Sequence, residues 1–161
     1  MFNEPQGALF NDNRSKRYVL WRYWDVQQET LLIIGLNPSV ADESEDDPTT
    51  KRLIAHAKRL GFGGILLVNC FAAVATNPKK LVPEKTDAEN LKWIHQAAAC
   101  AAVVLFAWGK NHLVSASGLD RYFSARFPHA KCLGTNLDGS PKHPLYLSYQ
   151  TKLRSYDLEC L

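Results

Sequence analysis

A chain of 161 residues with 46% hydrophobic and 22% charged residues has an ordinary globular composition, which excludes a disordered or low-complexity protein. No apolar run approaches the ~20 residues that span a bilayer, and residues 1–5 lack the features of a signal peptide. We therefore expect a soluble cytoplasmic protein without a membrane partner. The net charge of +3 is too small to indicate a nucleic-acid partner, and the four widely spaced cysteines favour reduced thiols.

The N-terminal part of the chain predicts an arm followed by a strand. Residues 1–13 lack periodicity, so we expect a loosely docked arm on a single domain that spans residues 1–161. Residues 17–24 are aromatic and β-branched, which favours an edge strand or hairpin beside the main sheet.

Aliphatic segments that alternate with helical patterns make up the rest of the chain. The expected strands are residues 31–34, 65–68, 102–107 and 130–133. The expected helices run from Pro48 to about residue 60, from about 86 to 99 and from 117 to 126. This alternation predicts a three-layer α/β/α fold with a central, mostly parallel four-stranded sheet.

Polar residues follow the carboxyl ends of these strands, where ligands bind in open α/β sheets. The first strand runs into Asn37, and the second ends at Asn69. The third strand ends at Trp108, and His143 lies one loop beyond the fourth. Structural alternatives stay open at this point. Either Asn can cap a turn, His143 can be a surface residue, and Trp108 can belong to the core.

The order of these segments resembles the uracil-DNA glycosylase superfamily. Residues 35–39 (GLNPS) resemble its water-positioning turn, and residues 65–69 (ILLVN) resemble its base-reading strand. Residues 104–110 (VLFAWGK) are similar to its apolar-Trp-Gly strand end, and residues 143–148 (HPLYLS) to its last signature. The resemblance implies a uracil-DNA glycosylase-like fold and activity on a nucleobase.

A second resemblance covers nearly the whole chain. The segments LNPS, DDPT, NCFA, AWG and HPLYL resemble a bacterial family known as domain of unknown function 1643. They occupy residues 36–39, 46–49, 69–72, 107–109 and 143–147. This resemblance implies a fold and a pocket but no particular activity.

The glycosylase resemblance implies catalytic roles for two polar residues and a base-reading role for a third. Hydrolysis of an N-glycosidic bond needs a positioned water and a donor for the negative charge that collects on the departing base. We expect Asn37 to hold the water and His143 to donate to the base. Asn69 would offer a donor and an acceptor to the pairing edge of the base.

Further substrate contacts are expected around these residues. In the superfamily an aromatic residue stacks on the base, but residues 46–52 contain none, so Phe71 is the candidate substitute. Tyr146 or Leu147 would fill the gap left by a flipped nucleotide. The complete set of expected substrate-binding residues is Leu36, Pro38, Ser39, Asn69, Phe71, Trp108, Tyr146 and Leu147.

We therefore expect a glycosylase-like protein that acts on a base, modified or not, in nucleic acid or in a nucleoside. It is expected to be a monomer and to need neither a metal nor another cofactor. One alternative is a non-catalytic module that recognises a nucleotide or a modified base. Another is phosphoester chemistry with Mg²⁺ held by Asp42, Asp46 and Asp47 in an acidic loop.

Overall fold

One mixed β-sheet organises the chain. The structure is a computed structural model that describes residues 1–81 and 87–157. The strands are β1 (Gln6–Phe10), β2 (Arg17–Tyr23), β3 (Thr30–Gly35), β4 (Gly64–Asn69), β5 (Val103–Phe106), β6 (Lys131–Cys132) and β7 (Arg154–Ser155). The helices are α1 (Pro48–Arg59), α2 (Ala88–Ala98), α3 (His112–Ala116) and α4 (Leu119–Arg126), with a 3-10 turn at Pro78–Lys80. The mixed α/β class predicted from the sequence is confirmed.

Within residues 1–81 and 87–157, the sheet contains seven strands in the order β1-β2-β4-β3-β5-β6-β7. Its centre consists of β4, β3, β5 and β6, which run parallel to one another. The interior residues of β3 and all of β4 are buried, as expected for unbroken aliphatic runs. The prediction of a four-stranded sheet is wrong, because antiparallel strands extend this centre on both sides.

A β-hairpin forms one side of the sheet. Residues 6–10, part of the segment expected to be a loose arm, form β1 and pair antiparallel with β2. The pairing places Leu9 opposite Val19 but Phe10 opposite Arg17, so that Tyr18 is an extra residue in β2. This register shift is a β-bulge, and a bulge changes the face of the sheet toward which neighbouring side chains point.

The other side of the sheet ends in β7, a strand of two residues. β7 pairs antiparallel with β6, and the next residue, Tyr156, is buried. The Tyr156 ring packs edge-on against Phe106 with centroids 5.2 Å apart, and its hydroxyl donates to the Gly139 carbonyl. Burial raises the pKa of Tyr156 to about 12. An aromatic anchor therefore holds this two-residue strand in place.

Helices pack on both faces of the sheet. Leu53 and Ala57 of α1 belong to the apolar cluster on one face, and Ile94 of α2 and Phe123 of α4 belong to the cluster on the opposite face. Asp47 caps α1 as its side chain accepts a hydrogen bond from the Thr50 amide at 2.8 Å. No helix in the described part of the chain is long and apolar enough to cross a membrane.

Two predicted helix boundaries differ from the structure. The helix expected at residues 117–126 begins at Leu119, because Gly118 has a φ of +76° and separates α4 from α3. The helix expected from about residue 86 is observed as Ala88–Ala98, and residue 86 lies outside the described residues.

Candidate functional site

A cavity of about 360 Å³ lies at the carboxyl ends of β3, β4 and β5. Its walls come from these strand ends, the start of α1, residues 75–78 and the loop that contains His143. The lining residues are Arg17, Ile33, Gly35, Leu36, Asn37, Ser39, Asp47, Thr49, Thr50, Leu53, Leu67, Asn69, Ala75, Thr76, Pro78, Ala107, His143, Pro144 and Leu145. The cavity therefore brings together Asn37, Asn69 and His143, the three polar residues to which the resemblance assigns roles.

Asn37 ties the loop after β3 to the loop after β4. Its side-chain nitrogen Nδ2 donates to the Ala75 carbonyl at 2.7 Å and to the Pro38 carbonyl at 3.0 Å. Because both acceptors are carbonyl oxygens, they determine the orientation of the amide. The side-chain oxygen Oδ1 is left as the atom that can accept a hydrogen bond from a water or a ligand in the cavity.

Asn69 ends β4, opposite Gly35 of β3. A Cβ at Gly35 would lie 2.8 Å from the Asn69 Nδ2 atom, so the glycine makes room for the amide. The Asn69 Oδ1 atom accepts from Arg17 Nη2 at 3.4 Å, whereas Nδ2 has no hydrogen-bond partner among the described residues. Asn69 therefore presents a donor, rather than a donor and an acceptor, to the cavity.

His143 is half-buried and lies against the turn that follows β5. A Cβ at Gly109, which has a φ of +74°, would lie only 3.1 Å from the His143 Cβ. The ring nitrogen Nδ1 accepts a hydrogen bond from the Leu145 amide at 3.1 Å, so in the neutral ring the proton is on Nε2. Burial lowers the pKa of His143, and the charge of Asp47 opposes this shift. At neutral pH the residue is therefore a neutral Nε2–H donor.

Several of the expected substrate contacts do not line the cavity. Trp108 faces the opposite side of the sheet, because side chains alternate along a strand and the preceding Ala107 lines the cavity. It packs against Phe106 with ring centroids 4.7 Å apart, as the core alternative predicts. Phe71 also packs on that opposite face. Leu36 and Ser39 line the cavity, whereas Pro38 does not.

Tyr146 and Leu147 lie in a tight turn beyond the cavity lining. The Leu147 amide donates to the Pro144 carbonyl at 3.2 Å, and Tyr146 is the third residue of this four-residue turn. Tyr146 has a φ of +73° and is 92% exposed. Such a position normally favours glycine or asparagine, so the tyrosine is held in a strained conformation with its ring in solvent.

Two charged residues in the cavity were missed by sequence reasoning. Arg17 is only 1% exposed and lines the cavity, although the sequence indicates no more than a strand residue at this position. The sequence indicates Asp47 as a helix cap and, in the phosphoester alternative, as a Mg²⁺ ligand, but not as part of this cavity, where it is the single carboxylate among the described lining residues. A cap can be read from the local sequence, whereas its position beside the loop of His143 depends on tertiary packing.

The acidic loop has partners of its own. Arg14 pairs with both carboxylate oxygens of Glu43 at 2.7 and 2.9 Å, and Arg22 Nε donates to Asp46 at 2.9 Å. The Asp42 carboxylate accepts two backbone amides, which lower its pKa. Within residues 1–81 and 87–157, no group of three His, Cys, Asp or Glu side chains is arranged to hold a metal ion. The contacts of this loop are structural.

The fold and the cavity define a mixed α/β protein with a polar cavity at the carboxyl ends of parallel strands, the place where ligands bind in open α/β sheets. The model of a family described as proteins of unknown function (DUF1643) matches residues 17–145, so the chain belongs to this family. Comparisons with curated proteins and with solved structures find no match. The resemblance to the uracil-DNA glycosylase superfamily receives no support from these comparisons and stays a prediction.

Proposed function

We propose that the cavity binds a nucleobase and that the protein hydrolyses its N-glycosidic bond. The observation that carries this proposal is the convergence of Asn37, Asn69 and His143 on one cavity. A volume of about 360 Å³ lies within the range of small-molecule sites. Its lining combines apolar strand residues with a few polar groups of defined orientation, which is the usual composition of a ligand pocket.

We assign to Asn37 and Asp47 the positioning and deprotonation of the water that attacks the sugar. A water that donates to Asn37 Oδ1 would attack the anomeric carbon while the bond to the base nitrogen breaks and its electron pair leaves with the base. The water loses a proton in this step. Asp47 is the group in the cavity that can accept this proton, since asparagine cannot act as a base.

We assign to His143 and Asn69 the hydrogen bonds that stabilise the departing base. The neutral Nε2–H group of His143 donates a hydrogen bond to a base oxygen as negative charge collects there, without needing a protonated imidazole. The Asn69 Nδ2 group donates to a second acceptor on the base. A base with two acceptors therefore suits this site better than one that also presents a donor to Asn69.

A strained and exposed aromatic side chain favours a base within a nucleic acid. Proteins that extrude a base often insert a side chain into the gap that it leaves. Tyr146 is suitable because its turn projects the ring into solvent next to the cavity loop. Strain that persists in a folded protein is commonly associated with such a functional position.

The face that carries α1 supplies positive charge for a nucleic-acid backbone. α1 contains Lys51, Arg52, Lys58 and Arg59 and no acidic residue. Arg52 donates to the Leu147 carbonyl and lies over the Tyr149 ring at 4.2 Å, so it links the helix to the segment that carries Tyr146. Lysine and arginine side chains at such a surface bind phosphates and position a nucleic acid without reading its sequence.

Base release from oligonucleotides and nucleosides tests this function. The substrates are single- and double-stranded oligonucleotides and free nucleosides that carry uracil or a panel of modified bases, with released bases measured by chromatography and mass detection. Asn37→Ala and His143→Ala should each lower the rate by about 10²-fold or more, the effect of removing one preorganised donor or positioning group.

His129→Ala is the matched control, because His129 is exposed and does not line the cavity. Its rate of base release should equal that of the unmodified protein. If base release survives in the double variant Asn37→Ala/His143→Ala, the assigned mechanism is wrong. Saturable binding of the same substrates with no base release would instead identify a recognition module.

A further inference from the structure

Arg17 places an unpaired positive charge at the floor of the cavity. The residue is 1% exposed, and its Nη1 atom donates to the Ala41 carbonyl at 2.9 Å. Its contact with Asn69 Oδ1 is longer, at 3.4 Å, and its Nε atom is buried without a hydrogen-bond partner in the described part of the chain. Arg17 forms no ion pair with any described residue. A buried cation without an ion pair lowers the stability of the folded protein unless an anionic group binds to it.

The β-bulge at Tyr18 directs Arg17 toward the cavity. Tyr18 and Val19 are consecutive residues, yet both belong to the apolar cluster on the face opposite the cavity. Regular alternation along β2 would place Arg17 on that same face as Val19. The extra residue in the strand reverses this, and Arg17 lies among the cavity residues instead. Bulges of this kind commonly re-aim a side chain beside a functional site.

The neighbouring polar group adds a second donor. Arg17 carries only donors, and Asn69 presents its Nδ2 group because its oxygen is taken by Arg17. Burial lowers the pKa of Arg17 to about 10, which leaves the guanidinium charged at neutral pH. The floor of the cavity therefore offers one positive charge and several N–H groups at one place.

We propose that this floor binds an oxyanion, a carboxylate or a phosphate, carried by the ligand of the cavity. The guanidinium supplies the charge and a planar set of donors that fits two oxygens of such a group. The inference rests on the premise, shared with the proposed hydrolysis, that this cavity binds a ligand, and it uses the same Asn69 donor. It does not require turnover.

Asp47 is the acidic group whose charge acts on Arg17 in the cavity, and it opposes the binding of an oxyanion there. Its Oδ1 atom is used to cap α1, and its charge acts on Arg17 without a direct ion pair. Asp47→Asn keeps the cap, because asparagine is an equally good capping residue, but removes the charge. This variant should bind the oxyanion more tightly than the unmodified protein.

Isothermal titration calorimetry with four probes tests the inference. The probes are inorganic phosphate, uridine 5′-monophosphate, orotate and the neutral nucleoside uridine. At least one anionic probe should bind saturably and more tightly than uridine. Arg17→Gln should weaken that binding at least about tenfold. The control Arg14→Gln, an exposed arginine outside the cavity, should leave it unchanged.

The probes distinguish the two sources of the oxyanion. Binding of orotate alone identifies a carboxylate on the base, and binding of phosphate and the nucleotide identifies a phosphate. Circular dichroism and thermal unfolding of each variant establish that it is folded. Arg17→Lys keeps the charge but not the planar guanidinium group, so this variant should retain part of the affinity for the anion.

The inference is wrong if no anionic probe binds, or if Arg17→Gln binds the anions as well as the unmodified protein does. The base-release assay described above is a separate readout. Anion binding without base release overturns the proposed hydrolysis alone, whereas base release from a neutral nucleoside that is unaffected by Arg17→Gln overturns this inference alone.

Discussion

Strand β2 carries two buried arginines with opposite surroundings. Arg22 donates to the Asp46 carboxylate at 2.9 Å and to the Asp42 carbonyl at 2.6 Å, so the acidic loop satisfies it. Arg17 lies on the same strand but has no acidic partner among the described residues, and it lines the cavity. A buried charge with a complete set of partners stabilises one arrangement of a loop. A buried charge without them is a cost to stability that binding of a ligand can offset.

Replacement of the two arginines should show the largest difference in stability, because Arg22 holds a loop in place whereas Arg17 is available to a ligand. Arg22→Gln leaves Asp46 without its partner, and because Asp46 is partly exposed we expect a loss of about 2 kcal/mol in the free energy of unfolding. Arg17→Gln removes no ion pair and should cost less than about 1 kcal/mol. Urea unfolding of both variants measures the difference. Equal losses would show that Arg17 is as structural as Arg22.

The glycine that supports the cavity should be the next most sensitive position. Gly109→Ala places an alanine at a φ of +74° and a Cβ against His143, which we expect to cost about 2 kcal/mol. Gly61→Ala is the matched control, since its φ of +87° gives similar strain but no atom of the described residues lies within 4 Å of the added Cβ. It should cost about 1 kcal/mol. The difference, measured by thermal and urea unfolding, reports the contact with His143.

Relief of strain at the rim of the cavity should give a gain in stability. Tyr146→Gly removes the penalty of a φ of +73° and should raise the free energy of unfolding by about 1 kcal/mol. The same variant should weaken binding to a double-stranded oligonucleotide, measured by fluorescence anisotropy, because the ring that enters the gap is gone. Unchanged affinity would argue against insertion, and a loss of stability would argue that the exposed ring is structural.

The pH dependence of stability should show the smallest effect. Burial lowers the pKa of His143 in the folded protein below the unfolded value of about 6.5, so the unfolded chain binds more protons between these two values. The contribution of His143 to stability is therefore complete above about pH 6.5 and is lost as the pH falls through the folded value.

Thermal unfolding from neutral to mildly acidic pH measures this contribution in the protein and in His143→Asn. The thermal stability of the variant should depend less steeply on pH than that of the unmodified protein. Burial also lowers the pKa of His56 and His95, so some dependence of the same sign should persist in both. Identical pH profiles would show that His143 has the same pKa in the folded and unfolded chains.

Local patterns predicted the parallel strands and the polar residues at their ends. The aliphatic runs of β3 and β4 indicate buried neighbouring strands, and parallel strands bring Asn37 and Asn69 to the same edge of a sheet. The Asp47 cap and the proline that follows it indicate the start of α1. Where the pattern was shortest, as in the two-residue strand β7, the sequence contained no usable signal.

The position of His143 was predicted less fully, because a loop residue has no periodicity from which its surroundings can be inferred. The structure shows that the Gly109 turn lets it approach and that the Leu145 amide determines its tautomer. Trp108, adjacent in sequence to a cavity residue, lies on the other face of the sheet. Adjacency in a motif does not place two side chains in the same site, because a strand alternates its faces.

The sequence by itself determined the α/β class, the parallel strands at the centre of the sheet and the polar strand ends, because each depends on neighbouring residues and on a regular period. Only the tertiary structure decided that residues 6–10 complete a hairpin, that a bulge at Tyr18 turns Arg17 into the cavity and that Asp47 lines it. These features arise from pairing between segments distant in the chain, where hydrogen-bond register and packing, rather than local propensity, decide where a side chain points.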